Sequence, residues 1–231
     1  MDFLAIDGNS IMNRAFYGIK ELNNSEGQPT NAIYGFLNIM LKLVKEIDPQ
    51  YVAVAFDVKA PTFRVKQYEQ YKANRHPAPD ALISQLKIIK EILILMGYQV
   101  IEKPGFEADD ILGTLAGLAK INDDLNFIIV TGDKDSLQLI KDNVKVKIMT
   151  TKFGKPITTD YDEETIISQY KVTPKELIDV KALMGDKSDN IPGVAGIGEK
   201  TALALISKYH NIDNIYDNIM TLQEKDALKK S

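Results

Sequence analysis

The stretch Tyr51-Val-Ala-Val-Ala-Phe-Asp57 is apolar on both faces of an extended chain and closes on an aspartate. A strand of that kind is buried on both sides, as in a parallel sheet lying between helical layers. The pattern occurs twice more, in Phe3-Leu-Ala-Ile-Asp7 and in Phe127-Ile-Ile-Val-Thr-Gly-Asp133. Between these runs the apolar spacing changes to that of helices. One spans Ala32 to Glu46 with Ile33, Leu37, Met40, Leu41 and Val44 on a face; another spans Ala81 to Met96 with Leu82, Leu86, Ile89, Leu93 and Met96. A fourth strand is expected at Gln99 to Glu102, followed by a helix from Ala108 to Lys120. Alternation of this kind predicts an α/β fold, a mainly parallel central sheet flanked by helices. The carboxyl ends of such strands share one edge, so Asp7, Asp57 and Asp133 are expected to meet there.

From Thr173 the pattern becomes helical and Gly-rich, with helices at Glu176 to Leu183 and Glu199 to Tyr209 around Pro192-Gly-Val-Ala-Gly-Ile-Gly198. We therefore divide the chain into an α/β core, 1–172, and a helical subdomain, 173–231, whose last residues, Leu222 to Ser231, stop inside a helix. A length of 231 residues with 45% apolar and 26% charged composition is enough for a sizeable core and excludes a disordered chain. With no cysteine, disulfides, thiolate zinc and cysteine nucleophiles are excluded, and neither His76 nor His210 has the spacing of a metal site. No apolar run approaches the roughly 18 residues of a membrane span, so no membrane contact and a cytoplasmic, monomeric protein are expected.

Nine acids stand where chemistry would need them: Asp7, Asp57, Glu107-Ala-Asp109-Asp110, Asp133-Lys-Asp135 and Asp186-Lys-Ser-Asp189. Residues two apart in an extended loop point the same way, which suits Asp133 with Asp135. Residues three apart share a helix face, which suits Glu107 with Asp110 and, were that turn helical, Asp186 with Asp189. Taken singly, each acid is also what a helix N-terminus or a turn selects. Taken together they require cations, because each carboxylate pair near 4 Å repels by roughly 1 kcal/mol in water and about 4 at an effective dielectric of 20. An all-oxygen donor set points to Mg²⁺ or Mn²⁺. The formal charge of −4 becomes +5 once the nine are set aside, and Lys59, Arg64, Lys66, Lys72 and Arg75 face the single acid Glu69 between residues 59 and 79. A polyanionic partner is then electrostatically reasonable.

Six segments carry a resemblance: Asp7-Gly-Asn-Ser10; Phe56-Asp57 with Thr62-Phe-Arg64; Tyr71-Lys-Ala-Asn-Arg75; Gly105-Phe-Glu-Ala-Asp-Asp110; Thr131-Gly-Asp-Lys-Asp135; and Met184-Gly-Asp-Lys-Ser-Asp-Asn-Ile-Pro-Gly-Val-Ala-Gly-Ile-Gly-Glu-Lys-Thr201. In order and over nearly the whole chain, they resemble the 5′ nuclease (flap endonuclease) family, in particular the 5′–3′ exonuclease domains at the N-terminus of bacterial DNA polymerase I. The resemblance implies a PIN-like fold and a two-metal hydrolase that removes 5′ flaps and RNA primers in replication and repair. It implies a first metal held by Asp7, Asp57, Glu107 and Asp109 with Asp110 beside them, and a second held by Asp133, Asp135, Asp186 and Asp189. It makes residues 59–79 a helical arch admitting a single-stranded 5′ end, and the glycine turn a helix-hairpin-helix element with K⁺ between its carbonyls and DNA phosphate. Ala195 departs from the family, where proline is common, and family members usually continue with further helices, so a polymerase domain in the same longer chain is an expected partner.

Within that frame Lys72 and Arg75 are candidate electrophilic partners of the scissile phosphate, and Tyr71 a stacking platform for the terminal base. Arg14, on a helix capped by Asn9 or Ser10, together with Arg64 and Lys66, is a candidate DNA contact. Gly193, Gly196 and Gly198 allow backbone N–H groups to reach a duplex phosphate, with Lys200 and Thr201 at the helix start. Tyr17, Tyr34 and Tyr98 are expected in the core. Three other readings stand beside this one: an Asp-x-Asp phosphatase with an aspartyl nucleophile at Asp133, a non-catalytic duplex-binding module built on the hairpin, and a ribonuclease of related architecture.

Overall fold

The computed structural model of the chain describes residues 1–119, 124–152 and 155–219. Lys120, the expected end of one helix, and the expected helix over Leu222 to Ser231 lie outside the described residues. Six strands form one sheet in the order β3-β2-β1-β4-β5-β6. They are β1 (Asp2–Asp7), β2 (Tyr51–Phe56), β3 (Gln99–Glu102), β4 (Asn126–Thr131), β5 (Val144–Lys152) and β6 (Lys155–Tyr161). The pairings β1 with β2 and β4, β2 with β3, and β4 with β5 are parallel, and β6 returns antiparallel to β5.

Side chains of a strand alternate between faces, and the two halves of the core follow that alternation. Leu4, Ile6, Val54, Phe56 and Val130 pack under α1 (Gly8–Gly18), α2 (Asn31–Ile47) and, through Leu82, Ile89 and Leu93, α4 (Asp80–Leu95). Ala5, Ala55, Phe127 and Ile129 face the other way, against α5 (Ala108–Leu118) and α6 (Glu163–Tyr170). A separate cluster of Val180, Leu183, Ala202, Leu205, Ile206 and Ile215 joins α7 (Leu177–Met184), α8 (Glu199–Tyr209) and α9 (Ile212–Asp217).

Several expectations are corrected here. The segment 59–79 contains only the short helix α3 (Phe63–Gln67), followed by turns, with Lys72 at φ 56°. Pro61, Pro77 and Pro79 bracket it, and it has no apolar stripe to hold a longer helix on the core. Tyr17 and Tyr34 are 71% and 57% exposed rather than core, because they sit on the outward faces of α1 and α2. The first helix is capped by Asp7 itself, whose Oδ1 accepts from Ser10 N at 2.9 Å, and not by Asn9 or Ser10. Among the described residues no helix is long and apolar enough to cross a membrane.

Candidate functional site

β1, β2 and β4 end side by side, and their parallel register carries Asp7, Asp57 and Asp133 to one edge of the sheet. Each is fixed by hydrogen bonds. Asp7 is buried, its Oδ2 accepting from Thr131 Oγ1 at 2.8 Å, and Thr131 Oγ1 in turn accepts from Asp133 N at 3.1 Å. Asp57 Oδ1 accepts from Ala108 N at 2.7 Å, tying β2 to the N-terminus of α5. Asn9 Oδ1 accepts from Asp57 N, and Ser10 Oγ from Gly132 N. Asn9, Ser10 and Thr131 thus hold the three strand ends together; sequence reasoning quoted them without giving them this task. Asp133 caps a 3₁₀ turn over Lys134–Leu139 that contains Asp135, so the two are arranged by a cap and not by an extended loop.

Six of the nine acids, Glu107, Asp109, Asp110, Asp135, Asp186 and Asp189, line one cleft of about 830 Å³ beside these strand ends. Asp186 and Asp189 lie on a loop, not a helical turn. Asp186 Oδ1 accepts from Ser188 N and Asp189 N, and its backbone exchanges hydrogen bonds with Ile191.

Burial raises Asp7 to about 6, and the neighbouring charges of Asp57 and Asp133 push the same way. Burial raises Asp109 further, to about 7, with Asp7, Asp133 and Asp57 adding repulsion. Asp109 Oδ1 is buried and has no hydrogen-bond partner among the described residues. A buried, orphaned carboxylate oxygen facing three more carboxylates fits a hard divalent cation. As the side chains stand, no group of three or more acids among the described residues is arranged to hold one.

What the acids hold instead is the protein's own cations. Arg64 makes a bidentate pair with Asp110, at 2.7 and 2.8 Å. Those hydrogen bonds outweigh burial and keep the Asp110 carboxyl below the usual range. Lys72 Nζ lies 2.9 Å from Glu107 Oε2. Arg75 pairs with Asp189 and donates from Nε to Ser188 O. The turn 68–75 is laced to the loop 187–190 by Lys72 N to Asp189 O, Asn74 to Lys187 O and Asn190 to Gln70 O. Lys181, on α7, touches both Asp135 and Asp186.

One expected contact is corrected by this lacing. Tyr71 is no stacking platform here. It is 6% exposed, and its hydroxyl lies 2.9 Å from Glu107 Oε2 and 3.1 Å from Asp189 Oδ2. It has one proton for two carboxylates, and burial followed by Glu107 raises its ionisation well above the ordinary tyrosine range. Arg64 is likewise engaged, with Asp110. Lys66 is exposed. Arg14 is half-buried against Gly132, its Nε without a hydrogen-bond partner among the described residues, and desolvation lowers its pKa.

The glycine turn joins α7 to α8. Gly193 is required by packing: a Cβ there would stand 2.3 Å from Met184 C and 2.4 Å from Gly185 N. Gly196 has φ +80° in a turn closed by Ile197 N to Val194 O, with Ala195 at the position that proline often takes. Gly198 precedes α8 with no side-chain cap, leaving the N–H groups of the first turn, at Glu199, Lys200 and Thr201, at the surface edge of the subdomain.

A mixed sheet gathering acids at its carboxyl edge, followed by a small helical domain with a glycine hairpin, defines a PIN-like resolvase fold with a SAM-like helical annex. The chain belongs to the 5′-3′ exonuclease family: its model of the N-terminal resolvase-like domain matches residues 2–171, and its model of the C-terminal SAM fold matches residues 172–231. DNA polymerase I of Caldicellulosiruptor bescii is 48% identical over 219 residues, which is 95% of this chain and 26% of that protein. DNA polymerase I of Mycobacterium tuberculosis is 41% identical over 230 residues, 98% of this chain and 25% of that protein. The chain thus spans about a quarter of the length of these curated relatives. Among solved structures, a bacteriophage T5 flap endonuclease in a pseudo-enzyme–product complex with DNA and metal ions superposes with a TM-score of 0.79 at 23% identity, covering 99% of this chain and 83% of that one. The catalytic core of Rad2 in complex with DNA substrate gives 0.61 at 21% identity, covering 99% and 68%. These two likenesses are likenesses of fold.

Proposed function

We propose that the chain is a metal-dependent 5′ nuclease, hydrolysing phosphodiester bonds near the 5′ single-stranded end of flapped or nicked duplex DNA and removing RNA primers in replication and repair. The observation that carries it is the convergence of nine acids from five separate segments on one cleft and strand edge, with Asp109 Oδ1 buried and without a hydrogen-bond partner among the described residues. Asp7, Asp57, Glu107 and Asp109, with Asp110 beside them, would hold one Mg²⁺ or Mn²⁺, and Asp133, Asp135, Asp186 and Asp189 a second. Bound there, the pair supplies an activated water and neutralises charge on the attacking and leaving oxygens of an in-line displacement.

The chain's own groups do the rest. Lys72 and Arg75 leave Glu107 and Asp189 and turn their donors onto the scissile phosphate, Arg75 through a planar fork suited to it. The glycine hairpin, with Lys200 and Thr201 in the first turn of α8, grips duplex backbone without reading bases, and its carbonyls would be the groups to hold K⁺. A polymerase domain in the same longer chain is the natural partner, as in the relatives matched above. Incubation with a 5′-flap duplex and Mg²⁺ tests the reading. Cleavage near the flap junction is expected, abolished by chelator and strongly reduced by Asp133→Ala. An intact flap, or equal activity of Asp133→Ala, would refute it.

A further inference from the structure

Lys181 stands out in the structure although no sequence pattern marks it. Its ammonium is 2.7 Å from Asp135 Oδ1 and 2.8 Å from Asp186 Oδ2. The three residues come from different places: Asp135 from the 3₁₀ turn behind β4, Lys181 from the last turn of α7, and Asp186 from the loop behind it. Both contacts have the length of charge-assisted hydrogen bonds, and two carboxylates of different elements are drawn onto one nitrogen. The other internal cations are arranged differently. Arg64 gives its fork to Asp110 with Glu107 3.7 Å away, and both of those acids come from the same start of α5, so it draws no separate elements together. Lys181 occupies the space between two acids, where an ion shared by them would sit.

We infer that Lys181 is a positioning residue, the place-holder for the second divalent ion. It keeps Asp135 and Asp186 together before a metal arrives, fastens the helical subdomain to the α/β core at that point, and yields its position when the metal binds. Lysine suits the task. Its charge is compact and its stem flexible, whereas a guanidinium is broad and planar. Its side chain is 37% exposed, so it has a way out to solvent. The inference rests on the nuclease reading above, through the assignment of Asp135 and Asp186 to the second ion. An ordinary half-exposed ion pair, by contrast, would contribute a small stability increment that is the same with and without metal.

The test uses the full chain and Mn²⁺ alone as probe. Free Mn²⁺ is followed by electron paramagnetic resonance, and thermal unfolding is compared in chelator and in Mn²⁺, for wild type, Lys181→Met and Lys181→Arg. Wild type is expected to bind two Mn²⁺ of unequal strength. Lys181→Met is expected to tighten the weaker site roughly thirtyfold, the order expected when one positive charge about 4 Å from a divalent ion is removed in a water-like dielectric. It should also melt lower than wild type in chelator and gain more from Mn²⁺, while Lys181→Arg keeps the wild-type melting point in chelator. Folding of Lys181→Met only in the presence of Mn²⁺ would support the inference in its strongest form. An unchanged or weakened second site, an equal loss of melting temperature in both conditions, or a failure to fold even with Mn²⁺ would overturn it. Wild type that binds Mn²⁺ as described but leaves a 5′ flap uncut would remove the nuclease reading and leave the place of Lys181 standing; wild type that binds no Mn²⁺ would remove both.

Discussion

Replacing Gly193 with alanine sets a Cβ 2.3 Å from Met184 C, 2.4 Å from Gly185 N and 2.6 Å from Leu183 O. All three are backbone atoms, so no side chain can swing aside. Restoring ordinary contact moves the hairpin off the end of α7 by about 1 Å, in the range of overpacking that costs roughly 1–3 kcal/mol. The shift also pulls on the 2.8 Å bond from Val194 N to Leu183 O, a further loss of about 1 kcal/mol. At roughly 2–4 °C per kcal/mol for a chain of this size, the melting temperature should fall by about 4–16 °C. The neighbouring glycines provide the control. Gly196→Ala meets nothing within 4 Å but keeps φ +80°, costing about 1–2 kcal/mol of backbone strain. Gly198→Ala, in open space at an extended φ of −99°, should lose at most about 1 kcal/mol of capping. Thermal and urea unfolding of the three variants side by side decides the matter. If Gly193→Ala proved as stable as Gly198→Ala, the packing account of this turn would be wrong.

Asp109→Asn removes a carboxyl whose pKa is raised from 3.8 to about 7. The folded state binds that proton more tightly than the unfolded one, so metal-free stability falls as pH rises from about 4 to about 7. In chelator at pH 8 the variant should melt above wild type, with the difference gone near pH 4, and Mg²⁺ should raise wild type more than the variant. Lys72→Ala should lower the single-turnover rate on a 5′-flap substrate by roughly 10²–10³-fold, the scale of losing one charge-stabilising donor, with binding in chelator nearly unchanged. Gln85→Leu should destabilise by about 2–4 kcal/mol in urea unfolding, because the buried Gln85 Oε1 accepts from both Ala32 N and Ile33 N at the otherwise uncapped start of α2. DNA binding should weaken with a log–log salt slope near −0.9 for each duplex phosphate contacted; a flat response would show that the hairpin and basic stretch do not engage the backbone.

Much of the scaffold could be read from periodicity, since doubly buried strands and amphipathic helices leave a strong imprint on apolar spacing. The helices at 31–47 and 80–95 lie within a residue or so of where that spacing put them. β5 and β6 went unread although Val144-Lys-Val-Lys-Ile148 alternates with period two, because its polar face lacks the continuous apolar run sought in the other strands. Tyr17 and Tyr34 were misplaced because an aromatic ring is not obliged to be buried. The acids were recognisable as a set because so many carboxylates in one chain are hard to explain one by one. Their partners were not, because long flexible cations choose among several carboxylates by distance alone. That choice placed Lys181 between two acids and Arg64 on Asp110.

The lacing of Arg64, Lys72 and Arg75 onto acids also governs what an approaching polyanion senses. With three of its five cations paired to acids, the basic stretch shows the solvent a muted field, left mainly to Lys59 and Lys66. On the nuclease reading proposed above, divalent ions in the cleft would compete with those side chains for the same acids. With those cations paired, the surface attracts a polyanion less strongly than it would with them free.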